Sequence, residues 1–312
     1  MTTGRGQPKR SSGIGLLQVC GAGVLWGTGG LVATVLHDED GLGAMTTSAW
    51  RMLVAAVALL AFALVNGRLA AWSATVRARP ALVVAVGCGT ALYQGLYFLS
   101  VLVVGVSVAT VISLGLAPVL AAAWEHARAR TRPDARELSV LAAALAGLVL
   151  VSVASGGSGV AGAEPALGLV LAVAAGATYA ATTLLGHRLA RDIDPLALTA
   201  GATTAGAVLL APFLLAAAAG PGPALSARPE ALALLAYLGI ATMAVSYGLL
   251  YAGLRTTSGS AATIATLVEP LSAAALAALL LGERPAITAL TGGALILAAV
   301  AGLRPREAPP VT

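Results

Sequence analysis

The sequence predicts an all-α membrane protein of ten transmembrane helices in two inverted five-helix repeats, and three observations carry that prediction. The first is composition: of 312 residues, 58% are hydrophobic and only 10% charged, with a mean hydropathy of +0.91. Such a chain cannot cover itself with enough polar surface to dissolve as a globule. The second is a series of apolar windows joined by short charged connections, each close to the roughly 17–25 helical residues that a bilayer crossing needs. The third is a half-chain repeat. Gly15, Leu16, Ala22, Gly23 and Trp26 return as Gly168, Leu169, Ala175, Gly176 and Tyr179, at a constant spacing of 153. The same spacing carries Gly95, Leu96, Phe98, Ser107, Ala109 and Thr110 onto Gly248, Leu249, Tyr251, Ser260, Ala262 and Thr263. A unit with an odd number of crossings turns the next copy upside down.

Taken in order, the first repeat (13–154) places spans at Gly13–Leu36, Met45–Val65, Ala81–Leu102, Ser107–Glu125 and Glu137–Ala154. The second (166–303) places them at about Ala166–Gly186, Pro195–Ala219, Ala231–Leu254, Ser260–Leu281 and Ala286–Leu303. Polar tails, 1–12 and 304–312, flank the repeats. Transmembrane strands would need segments of about ten residues with strict alternation, whereas these windows are continuously apolar. A basic start before an apolar run can be a cleaved signal peptide, but the first window is about twice the usual apolar length of 7–15 residues and has a counterpart near Tyr179, so it is read as retained. With the amino terminus cytoplasmic, fifteen Arg and Lys residues fall on the inner side against Arg228 and Arg284 outside, with Arg51 left inside a span. That asymmetry predicts a multi-pass protein of the cell membrane with both termini cytoplasmic.

Composition also excludes chemistry. Lys9, in the amino-terminal tail, is the only lysine, so there is no Walker A phosphate loop and no intrahelical Schiff base. Any movement driven by this chain alone therefore draws on a gradient. His37, His126 and His187 lie in loops or at span ends without metal-ligand spacing, so neither a metal site nor a cofactor is expected. Cys20 and Cys88 read as small packing residues. The net charge of +5 is scattered over short loops, without the aromatic interleaving of a nucleic-acid surface. Ser113 or Ser246 could act as a nucleophile in principle, but a serine in an apolar helix more often bonds its own backbone.

The remaining polar and aromatic residues are the site candidates. Tyr93 and Tyr97 are four apart, as are Tyr247 and Tyr251, so each pair shares a helical face, and the pairs lie in matching helices. Trp26 matches Tyr179. With Gln94, Thr178 and Ser246, these aromatics are expected to line a cavity at the repeat interface; ordinary packing or an interfacial belt is the alternative. Glu269 falls near the bilayer midplane, where an acid costs about 2.5–3.5 kcal/mol to insert. It either serves a cavity or proton path, or locks helix packing. Adjacent Pro270 cannot donate to the carbonyl of Thr266 and is expected to bend its helix, as Pro118 is in the first repeat. Arg51, a turn or two inside the outer interface, is expected to snorkel towards headgroups or towards Asp38, Glu39 and Asp40; capture of a carboxylate at the outer mouth is its alternative.

Leu25-Trp26-Gly27, Trp50-Arg51, the stretch Ser107 to Pro118, and Ser260-Ala261-Ala262-Thr263 through Glu269-Pro270 to Gly282-Glu283-Arg284 resemble the EamA-type transporters of the drug/metabolite transporter superfamily, from about Gly13 to Leu303. The resemblance implies ten helices in two inverted repeats, a central cavity, and in many members export of amino acids or other small metabolites. Two departures stand out. The fourth span of the first copy runs into Trp124-Glu125-His126 where the second has Leu281-Gly282-Glu283, and Pro118 and Pro270 are 152 apart, so one copy has slipped by a residue between Thr110 and Pro118. The expectation is a gradient-driven transporter that moves a small organic metabolite outward by alternating access, with the solute, the lipid bilayer and protons as partners and the oligomeric state open. An intramembrane enzyme or lipid-processing protein, or a non-transporting scaffold, is the alternative.

Overall fold

A computed structural model of the chain describes residues 10–154, 165–280 and 286–303, and every regular element in them is helical. The Gly282-Glu283-Arg284 motif and most of both tails lie outside the described residues. Apolar runs become α1 (Arg10–Asp40), α2 (Ala44–Val65), α4 (Pro80–Val104), α5 (Val106–Ala129), α6 (Ala135–Ala154), α7 (Pro165–Leu189) and α8 (Pro195–Ala219), with a short α3 (Leu69–Ala78) between α2 and α4. The next span begins as α9 (Pro229–Gly239), passes through a π-helical segment, Ile240–Val245, and ends as α10 (Ser246–Leu254). The following one is interrupted: α11 (Gly259–Ala265) and α12 (Val268–Leu280) are separated by a turn at Thr266 and Leu267. The last is α13 (Ile287–Gly302). Among the described residues, nine helical segments are long and apolar enough to cross a membrane, and Ile287–Gly302 is a shorter apolar helix.

The ends are set by local chemistry. Gly41 closes α1 with φ of 68°, its N–H reaching the carbonyl of His37 four residues back, the single bond of an αL cap, a conformation that a residue with a Cβ resists. Gly105, at φ 82°, separates α4 from α5. Asp194 and Pro195 open α8, the Asp194 carboxylate accepting from the N–H groups of Leu196 and Ala197. Sequence reading missed α3, which it left in a basic inner connection. At ten residues α3 is too short to span; its Trp72 is buried beside Phe62, with ring centroids 6.3 Å apart.

Packing is reciprocal between the two halves. α1 lies on α10 and α12, and α7 lies on α4 and α5; α4 meets α8 as α2 meets α9 and its π segment. The pairs α2 with α8, α5 with α11, and α6 with α13 join corresponding helices. Glycines set several crossings. A Cβ on Gly23 would stand 3.2 Å from the Thr266 carbonyl oxygen, and one on Gly176 would stand 2.7 Å from that of Ser113. Both pairs are 153 apart, so the repeat register survives as contact and the one-residue slip falls after Ser113. Ser100 donates to the carbonyl of Gly168 at 2.9 Å, while its counterpart Gly253 sits against the carbonyl of Gly15. α6 and α13 run antiparallel, with Gly147 against Gly292 and Arg136 donating to the Gly302 carbonyl.

One end of the bundle gathers arginines. There Arg79 pairs with Asp192 at 2.8 Å, and the Glu125 carboxylate accepts from the Gly259 N–H and the Ser260 hydroxyl. At the other end Arg228 reaches Glu39 at 3.1 Å and Asp40 at 3.4 Å. The Glu39 hydrogen bond, aided by the charge of Asp40, raises the Arg228 pKa above its ordinary value.

Candidate functional site

The seam between the halves holds two aromatic arrays on matching helices of the two repeats. In one, Tyr93 on α4 stacks on Tyr179 of α7 (5.0 Å, 24°) and is followed by Tyr97 at 6.1 Å. In the other, Trp26 on α1 meets Tyr247 of α10 (5.0 Å, 55°), followed by Tyr251 at 6.0 Å. Trp26 and Tyr179 are counterparts, and each contacts the neighbouring α4 or α10 ring. The arrays are anchored differently. The Tyr179 hydroxyl bonds Thr266 at the α11–α12 break, and the Tyr97 hydroxyl bonds Thr110, both at 2.8 Å. Tyr251 is 2% exposed and packs on Gly186.

Arg51 departs from its expectation. Its guanidinium turns inward and donates to Thr242 in the π segment at 3.1 Å, while its Nε is buried without a partner. Two of the acidic residues it was expected to reach, Glu39 and Asp40, are engaged instead by Arg228. The reason is geometric. Arg51 is the eighth residue of α2, roughly 10 Å along the helix at 1.5 Å per residue, and Thr242 of the π segment meets it as an acceptor. Thr242 donates in turn to the Leu238 carbonyl at 2.6 Å. π segments arise where an extra residue is accommodated within a helix and recur at functional sites.

Glu269 lies at the second position of α12, not midway along an unbroken helix. Pro270 explains the difference. The Thr266 carbonyl, deprived of the Pro270 N–H, takes the Glu269 N–H at 2.9 Å in a tighter turn. The helix breaks there and puts the carboxylate at a helix amino terminus, where negative charge is favoured. Pro118, its counterpart, stays inside a continuous α5. The carboxylate lies in electrostatic range of Arg51 and of the Tyr93, Tyr97, Tyr179 and Tyr247 phenols. No ion pair among the described residues joins Arg51 to Glu269.

The other candidates divide. Among the described residues, Gln94 is buried with both ends of its amide unpartnered, and Trp26 Nε1 is likewise unpartnered. Such groups cost about 1–3 kcal/mol each unless something meets them. Thr178 and Ser246 do not supply free hydroxyls: they donate to the carbonyls of Ala174 and Thr242 at 2.8 and 2.6 Å. Sequence reading missed Thr242, and also Thr47 and Ser48, whose buried hydroxyls are unpartnered on α2 near Arg51. Single threonines and serines give no signal in an apolar run. A cavity of about 10 Å³ beside Tyr247 and Tyr251, also lined by Met52 and Thr90, has room for one water and not for a metabolite.

This geometry places a cation, a carboxylate and unpartnered polar groups among rings at a seam between matching halves. Comparison with known proteins places the chain in a family. The EamA-like transporter family model matches residues 13–153 and again 166–304. The uncharacterized transporter YwfM of Bacillus subtilis (strain 168) is 29% identical over 280 residues, 88% of each chain. The uncharacterized inner membrane transporter YicL of Salmonella typhimurium is 25% identical over 287 residues, 92% of this chain and 93% of its own. A solved crystal structure superposes with a TM-score of 0.77 over 95% of this chain and 96% of the other at 19% identity, a likeness of fold alone. Two matches in tandem cover nearly the whole chain, and the protein is a multi-pass membrane transporter homologue that belongs to the EamA-like transporter family.

Proposed function

We propose that the chain is a gradient-driven secondary transporter that exports a small organic metabolite, an amino acid or related compound, by alternating access. The observation that carries the reading is the central juxtaposition of Arg51 and Glu269. The two charges are close enough to interact, are not paired with each other, and are surrounded by tyrosines. A fixed cation and a fixed carboxylate held apart suit a zwitterion, whose carboxylate would take the guanidinium fork and whose ammonium would take Glu269. The rings supply the apolar wall and a cation–π face.

Ten spans in two inverted repeats complete the proposal, with residues 13–154 and 166–303 as the two units and both termini on the cytoplasmic side of the cell membrane. The reciprocal contacts and the antiparallel α6 and α13 support inversion. Alternate opening then follows from rocking one half against the other. A carboxylate at the α11–α12 break is the natural place for a coupling proton.

Flux into and out of proteoliposomes containing only this chain tests the reading. A panel of zwitterionic amino acids, organic anions and neutral solutes should show saturable movement of the zwitterions, accelerated by an imposed proton gradient. Product formation without net movement would favour an enzyme, and neither flux nor product would favour a scaffold.

A further inference from the structure

A groove between α5 and α7, one helix from each half, is lined by none of the residues of the central site. It has a volume of about 390 Å³ and is lined by Leu120, Trp124, Ala177, Ala181, Leu184 and Arg188. That volume falls within the roughly 300–1,000 Å³ of small-molecule sites. Its shape follows from sequence. Ala177, Ala181, Leu184 and Arg188 recur at helical spacing on one face of α7. The alanines leave a hollow that longer side chains on α5 overhang. Trp124, 52% exposed, and Arg188, also exposed, both line it, and Arg188 makes no hydrogen bond or ion pair among the described residues.

We propose that this groove binds one anionic glycerophospholipid of the leaflet at the arginine-rich end. An acyl chain would lie along the alanine hollow, Trp124 would sit at headgroup depth, and Arg188 would take the phosphate. Several features single out this occupant. The walls are apolar, so a water-soluble anion would gain only the Arg188 contact. Arg188 is the last residue but one of α7, the part of a spanning helix that meets the headgroups, and tryptophan is enriched at that level. A basic residue placed there favours an anionic lipid over a zwitterionic one.

Trp124 is itself the reporter. The full chain would be reconstituted in bilayers of phosphatidylglycerol and phosphatidylcholine, with one lipid at a time carrying brominated acyl chains that quench tryptophan. Trp124→Phe identifies the Trp124 part of the signal. At equal mole fraction, brominated phosphatidylglycerol should quench Trp124 about fivefold more effectively than brominated phosphatidylcholine, the size of one arginine–headgroup interaction. Ala181→Leu, which fills the hollow, and Arg188→Gln should each abolish the difference. Arg191→Gln, an exposed arginine at the same end outside the groove, should preserve it. Equal quenching by the two lipids, or a preference that survives both groove variants, would overturn the proposal. So would equal loss in the Arg191 variant, which would make the effect a general surface attraction.

Discussion

Glu269 and Arg51 have no counterparts in the opposite repeat, and that asymmetry decides what each can do. The position before Pro118 is Ala117, and the residue 153 beyond Arg51 is Thr204, so each charge is supplied by one half alone. A carboxylate that exchanges a proton during the cycle must lose that role when it cannot ionise. Glu269→Gln keeps the shape and leaves the Glu269 N–H bond to Thr266 intact, so the fold should persist. Transport by Glu269→Gln is expected to lose its dependence on pH and on a proton gradient. The measurement is flux across a pH series in proteoliposomes, and an unchanged profile would leave Glu269 a packing residue. Among the described residues, Arg51 is held by the side chain of Thr242. Thr242→Val removes that acceptor at nearly constant volume. Hydrogen bonds to charged groups contribute about 1.5–3 kcal/mol, so solute affinity should fall by roughly tenfold or more. Circular dichroism should be unchanged and the maximal rate should fall less than affinity; equal affinity would remove Thr242 from the positioning role.

The helices themselves were largely legible, because a run of apolar residues long enough to cross a bilayer has few other solutions. α8 begins and ends at the residues expected, and α2 differs by one. What escaped is where helices stop being regular. The π segment at Ile240–Val245 has no Gly or Pro to announce it. The break at Thr266 and Leu267, next to Pro270, also meets tertiary contacts that no local pattern announces, of Tyr179 with Thr266 and of Gly23 with the Thr266 carbonyl. Pro118, in the same sequence context but one residue further along, does not break α5. The inward turn of Arg51 was invisible for the same reason, since its acceptor Thr242 lies in the π segment. Close helix contact was readable as glycine content but not as specific crossings. The α6–α13 pair shows the consequence. A Cβ on Gly147 would stand 2.6 Å from the Gly292 carbonyl oxygen, against backbone that cannot move aside cheaply. Gly147→Leu is expected to destabilise the protein by at least the 1–3 kcal/mol typical of overpacking, read as a lower unfolding midpoint in detergent. Gly30→Leu, where no atom lies within 4 Å of the added Cβ, should leave the midpoint nearly unchanged.

At the scale of the whole molecule, the two halves exchange contacts as partners while carrying opposite fixed charges at the seam, and only their relative orientation makes that a route across a membrane. Orientation rests on charge. The arginine-rich end brings together Arg79, Arg128, Arg188 and Arg255 at the ends of different helices, whereas the opposite end carries Asp38, Glu39 and Asp40 with Arg228 among them. A protein inserted by the positive-inside rule keeps the first end in the cytoplasm. With Cys20 and Cys88 replaced by alanine, single cysteines at Asp38 and at Gly157, the latter outside the described residues, should therefore react with an impermeant thiol reagent in intact cells. Cysteines at Arg130 and Arg191, both exposed at the other end, should react only after the membrane is opened. Asp38 and Arg130 are separated by three full spans and the short α3, α2 through α5, so their opposite labelling counts an odd number of crossings. Gly157 and Arg191 make the same count across α7 alone. Labelling of Arg130→Cys in intact cells would remove the cytoplasmic placement of that end, and labelling of Gly157 and Arg191 from the same side would remove the crossing by α7 on which inversion of the second repeat depends.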